Sequence, residues 1–97
     1  MNKYKLKSSK EDSRFSKEIE AFRFNGDINE DDMPDWFTKA VENGTIVHFG
    51  KVDDKDRLFV FPTGVIVEDG YYIAKKQSGN IGALTEEMIK EYYDRIN

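Results

Sequence analysis

The amino-acid sequence predicts an α+β domain: an antiparallel meander of four to five strands packed with two short helices. Three observations carry this. Between Thr45 and Leu84, short apolar runs are separated by turn signals every few residues, so neighbouring strands pair antiparallel. One stretch on either side of that region repeats apolar residues at spacings of three and four, next to capping residues. A length of 97 residues gives one domain and little room for a second.

Residues 1 to 14 carry Tyr4 and Leu6 as their large apolar side chains and are read as a flexible basic leader, with the domain over 15 to 97. In "FSKEIEAFRFN", Ile19 and Ala21 fall on one face and Phe22 and Phe24 on the other, which predicts a strand at about 18 to 24. Asn25-Gly26-Asp27 ends it as a turn. The next stretch, "DINEDDMPDWFTKAVENG", predicts a helix over 34 to 43. Asp31 or Asp32 is the expected N-cap, Pro34 suits the first turn, and Gly44 is the C-terminal stop. Met33, Trp36, Phe37, Ala40 and Val41 form its apolar stripe.

"TIVHFG" (45 to 50) is a short strand, "KVDDKDR" (51 to 57) a charged hairpin loop, and "LFVFP" (58 to 62) the returning strand. "VIVE", "YYIAKK" and "IGAL" follow as strands, divided by glycine-containing turns. The chain closes in "TEEMIKEYYDRIN". Thr85 is the N-cap, Glu86 and Glu87 suit the positive end of the helix dipole, and Met88, Ile89, Tyr92, Tyr93 and Ile96 form a broad apolar face.

The stretch "LFVFPTGVIVEDGYYIAKK" (58 to 76) holds eleven apolar residues in nineteen and barely alternates. A half-buried strand alternates, because successive side chains point to opposite faces. Something must therefore cover both faces, or one face is exposed. If both helices lie on one side, Leu58, Val60, Ile66, Tyr72 and Ala74 form an exposed apolar patch of the kind that binds a partner or a second copy.

Charge is unevenly placed. Residues 1 to 17 hold six Lys/Arg and two acids, a surplus of four positive charges; the other 80 residues hold nine Lys/Arg and seventeen acids, a deficit of eight. An acidic body argues against nucleic acid as the main ligand. The alternative that uses it places the contacts on Lys3, Lys5, Lys7, Lys10, Lys75 and Lys76, beside Tyr71 and Tyr72.

Catalytic signatures are missing from the sequence. His48 is the one histidine, and no serine stands in a G-x-S-x-G context, so no catalytic residue is assigned and the expectation is a protein that is not an enzyme. Asp27, Asn29 and Asp31 open like a calcium loop. Asp32 then stands where a glycine is needed and Thr38 where a glutamate is needed, so helix capping accounts for the acids and no metal or other cofactor is expected. Asn43-Gly44-Thr45 fits a glycosylation sequon and is read as a helix stop. The absence of cysteine excludes a disulfide scaffold and a cysteine-ligated metal site. With no apolar signal segment and no run of eighteen apolar residues, the expectation is a cytoplasmic protein away from the membrane.

Two segments, "EAFRFNGDI…MPDWFTKAVENGTI" and "LFVFPTGVIVEDGYYIAKKQSGNIGALTEEMIKEYY", resemble a group of small uncharacterised phage and prophage proteins of low-GC Gram-positive bacteria. Ala21, Phe24, Gly26, Pro34 and Trp36 match the group's first half, and Gly64, Val67, Gly70 and Ile73 its second. Tyr71 stands where the group has an acid, so any role of that acid is not carried over. Met88 fills the final aromatic position, with Tyr92 or Tyr93 after it. The resemblance spans residues 18 to 95. It implies a phage-encoded accessory protein, here expected to bind a host or phage protein, in its sharpest form as an acidic inhibitor of a host factor.

Overall fold

The computed structural model describes residues 2–7, 16–26, 33–52, 54–61 and 64–96. It shows an α+β fold with two antiparallel sheets and two helices. The elements run β1 (Asn2–Leu6), β2 (Glu18–Arg23), α1 (Asp35–Glu42), β3 (Ile46–Val52), β4 (Lys55–Val60), β5 (Val65–Val67), β6 (Tyr72–Lys76), β7 (Ile81–Leu84), α2 (Glu86–Tyr92) and β8 (Tyr93–Arg95). One sheet has five strands in the order β7-β6-β2-β1-β8, and the other has three in the order β3-β4-β5. The expected short connections hold for β3-β4-β5 and for β6-β7; between those two groups the chain changes sheet.

The five-stranded sheet is packed on both faces, and the alternation of β2 shows how. Ile19 and Ala21 belong to a cluster with Tyr4, Leu6, Ala74, Ile89 and Tyr93, on the side covered by α2. Phe22 and Phe24 belong to a second cluster with Phe37, Ala40, Ile46, Leu58, Val60, Val67 and Ile73, on the side covered by α1 and the three-stranded sheet. In β6 the same alternation sends Ile73 to one cluster and Ala74 to the other. This is why "YYIAKK" does not alternate: neither of its faces meets water broadly.

Four expectations are corrected. The leader is not free over residues 2 to 6. These residues form β1, between β2 and β8, with Tyr4 and Leu6 buried. The charged loop at 51 to 57 is mostly strand. Lys51 pairs with Asp56 and Val52 with Lys55, and the tight connection carries Asp54 at φ 63°, the left-handed geometry that such hairpins need. The first helix is preceded by Pro34 as N-cap with no side-chain cap bond. The last helix stops at Tyr92, and the chain becomes β8, which covers the edge of β1 through Leu6↔Tyr93, Lys5↔Asp94 and Tyr4↔Arg95.

Other local signals behave as expected. Thr85 caps α2, its Oγ1 accepting from the Met88 N–H at 3.2 Å. Asn43 accepts at Oδ1 from the Thr45 N–H and hydroxyl (2.9 and 2.7 Å), fixing the exit from α1. Gly26 sits at φ +83°, a left-handed conformation that favours glycine at this turn, while a Cβ there would meet only the movable Lys55 side chain closely, at Cδ 2.6 Å. Expectations about Lys10, Phe15, Asp27, Asn29, Asp31, Asp32 and Asp53 lie outside the described residues.

Candidate functional site

The partner-binding patch expected from the sequence does not form. Leu58, Val60 and Ala74 are buried in the two cores, Tyr72 is half-buried against Tyr4 on the α2 side, and Ile66 alone of the five is exposed. The apolar surface lies on the opposite parity of the same strands. Val47 and Phe49 of β3, Ile66 of β5 and Phe61, just past β4, are each 40 to 47% exposed on the outer side of the three-stranded sheet. Phe59 links them, pairing with Val47 on one side and with Ile66 on the other. Its ring packs edge-on to Phe49 (centroids 5.6 Å, 61°) and stacks on Phe61 (5.5 Å, 19°). Cross-strand aromatic pairs of this kind hold a ribbon together, yet leave much of each ring in water.

The position of this face follows from the chain. β3 and β4 place apolar residues at both parities: Ile46, Leu58 and Val60 turn inward, so Val47, Phe59 and Phe61 must turn outward. A register shift between His48 and Gly50 marks where Phe49 sits. At the rim, Arg57 Nη1 bonds Glu68 Oε1 at 2.8 Å, while the buried Arg57 Nε has no hydrogen-bond partner among the described residues.

On the inner side of the same hairpin, His48 Nε2 lies 2.9 Å from Asp56 Oδ1. Asp56 is 4% exposed and its N–H donates to the Gly26 carbonyl, so the histidine helps to satisfy a buried carboxylate. A histidine held by a carboxylate is two-thirds of a hydrolytic triad, but among the described residues His48 makes no further hydrogen bond and no hydroxyl meets its ring. Among the described residues no group of three His, Asp or Glu side chains is placed to hold a metal.

A cleft of about 730 Å³ opens where the aromatic ribbon ends. Its walls include Trp36 and Lys39 of α1, Phe61, Lys75 of β6 and Ile81 of β7. In the sequence Trp36 belongs to the apolar stripe of the first helix and Ile81 to the strand "IGAL". Each does pack on the core while lining the cleft, a double role that spacing alone does not reveal.

The lysines of the nucleic-acid alternative are not gathered into one basic surface. Lys75 and Lys76 are on opposite faces of β6. Lys3 pairs across the strands with Glu20, and Lys5 with Glu18 and Asp94, which interleaves the charges. Lys7 donates to the Lys90 carbonyl at 2.8 Å, with Asp94 at 4.0 Å, and Lys10 lies outside the described residues. No helix among the described residues is long and apolar enough to cross a membrane. Comparison of the chain with family models, with curated proteins and with solved structures gives no match.

Proposed function

We propose that the protein is a non-enzymatic binding module, an accessory protein of the phage or prophage kind, that engages another protein through the outer face of its three-stranded sheet. The observation that carries the reading is the ribbon of Val47, Phe49, Phe59, Phe61 and Ile66. It is a contiguous apolar surface that gathers four of the five exposed large apolar side chains among the described residues. Such a surface suits the centre of an interface, where large aromatic side chains leave water, with the Arg57–Glu68 pair at its rim. The interleaving of Lys3 and Lys5 with carboxylates supports a protein partner over nucleic acid. The resemblance to small phage and prophage proteins supports the accessory role.

Affinity capture with the wild-type chain and with a Phe49→Asp/Ile66→Asp variant tests this. The expected result is a stoichiometric protein partner that the variant loses while its circular dichroism and melting profile are retained. Light scattering on the same samples shows whether that partner is a second copy. Equal capture by the well-folded variant would remove the sheet face from the reading.

A further inference from the structure

The cleft and the aromatic ribbon share Phe61, whose ring stacks on Phe59 and also lines the cleft between α1 and the β6–β7 turn. A ligand lying along Phe49, Phe59 and Phe61 therefore runs into the cleft, where Trp36 and Ile81 offer apolar walls. The charge there runs against the rest of the molecule. The chain is net negative, yet the charged side chains described in the cleft are Lys39 and Lys75 against one acid, Asp35. Among the described residues neither lysine is in an ion pair. Asp35, one turn before Lys39, and Glu20, across the strand from Lys75, make no salt bridge with them. Two unpaired ammonium groups beside apolar walls, at the end of an apolar track, are complementary to an extended segment that joins an apolar anchor to a carboxylate.

We propose that this cleft receives an acidic peptide segment of the partner protein, an Asp or Glu directed at Lys39 and Lys75 with a neighbouring aromatic or aliphatic side chain against Trp36 and Ile81. This rests on the protein-binding reading above and names the chemistry of the partner. An elongated track that opens into a cleft favours a chain over a compact small ligand.

The test selects a random peptide library against the 97-residue chain and then titrates the selected peptides. Trp36 is the single tryptophan, so its emission reports directly on the cleft. The expected result is enrichment of Asp or Glu next to Phe, Trp or Leu. The selected peptides should change Trp36 emission, weaken as salt rises, and lose about tenfold or more in affinity to a Lys39→Glu/Lys75→Glu variant. Both lysines lie at the surface of the cleft, and circular dichroism verifies that the variant folds. Enrichment without acidic residues, an unchanged affinity for the lysine variant, or no enrichment overturns the proposal. Peptides that are lost on Phe49→Asp but indifferent to Lys39→Glu/Lys75→Glu remove the cleft and leave the sheet-face reading standing. A fluorescein-labelled oligothymidine that binds at low salt and is released by the lysine variant also overturns it, and assigns the cleft to nucleic acid instead.

Discussion

Phe59 and Phe61 stack at 5.5 Å on the solvent side of the three-stranded sheet, while Val60 between them is fully buried. Both faces of this short segment are apolar, but they do different things. The inner face closes the core with Leu58 and Val60; the outer face holds three rings in a row that fold stability alone does not require. That division makes the two faces separable by mutation.

Leu58→Ala should destabilise the fold by about 2–5 kcal/mol, because it opens a cavity in a fully buried site. Phe61→Ser should cost only about 0.5–1.5 kcal/mol, the scale of one aromatic pair, since the ring is already about half in water. Denaturant midpoints with unchanged m-values decide it. Equal losses at the two positions would mean that the outer ribbon is structural.

His48→Ala should destabilise by about 1–3 kcal/mol, although the His48 side chain is itself 41% exposed. The cost arises at Asp56, a buried carboxylate that loses its 2.9 Å partner. His48→Gln, which can keep a donor near that oxygen, should recover part of the loss. Chemical denaturation of the two variants checks this; a His48→Ala variant as stable as the wild type would show that the remaining contacts of Asp56 suffice.

Thr85→Ala should lower stability by about 0.5–2 kcal/mol, the range for loss of an N-cap side chain. α2 has only seven residues, and it delivers the chain directly into β8. Thr85→Ser should be close to neutral. Hydrogen exchange should show faster opening of α2 and β8 together in the alanine variant, whereas exchange confined to α2 would mean that β8 holds without it.

Burial pushes the Tyr93 hydroxyl above the ordinary tyrosine value, and its O–H donates to the Ser16 carbonyl at 2.9 Å. Tyr72 is raised too, by burial first and then by Tyr4 and Glu86. A raised folded-state value means that the folded chain favours the protonated phenol. That contribution is complete below the unfolded value of about 10 and is lost as pH rises through the folded one. Stability should therefore fall on passing from neutral pH to about pH 11. Tyr93→Phe should flatten part of that limb, while losing about 0.5–1.5 kcal/mol at neutral pH for the missing hydrogen bond. Urea melts across that range are the measurement, and an identical alkaline slope in Tyr93→Phe would assign the effect elsewhere.

Much of the fold was legible because it is local. Asn25-Gly26 as a turn, the Thr85 cap, the stop at Gly44 and the β6–β7 hairpin are all written within a few residues of where they act. Which face of β3 and β4 turns inward was not legible. Both parities are apolar there, and alternation assigns a face only when one parity is polar. Hence Leu58 and Val60 were expected at the surface, where Val47, Phe49 and Phe61 are found. The role of β1 was hidden for a related reason. Tyr4 and Leu6 are only two apolar residues among lysines, and their partners in the cluster, Ile89 and Tyr93, are more than eighty positions away. Nothing local shows that a strand at the start of the chain will be inserted between residues 18–23 and 93–95.

That insertion gives the sharpest prediction about the chain as a whole. Deleting residues 1 to 7 should abolish cooperative folding, not trim a tail. The deletion removes the pairing of β1 with both β2 and β8 and the backbone bonds Leu6 N–H to Lys17 O, Lys7 N–H to Tyr92 O and Ile96 N–H to Lys3 O. It also takes Tyr4 and Leu6 out of the cluster beneath α2, and burial of each such side chain is worth about 1.5–3 kcal/mol. A chain of this size has a total stability of only about 5–15 kcal/mol. The exposed edge of β2 would moreover be a template for aggregation. Circular dichroism, calorimetry and size-exclusion chromatography of the truncated chain should show lost near-ultraviolet signal, no cooperative melt and high-molecular-weight species. A soluble monomer with a sharp transition would show that the sheet closes without its N-terminal strand, and that β8 can be dispensed with or can pair directly with β2.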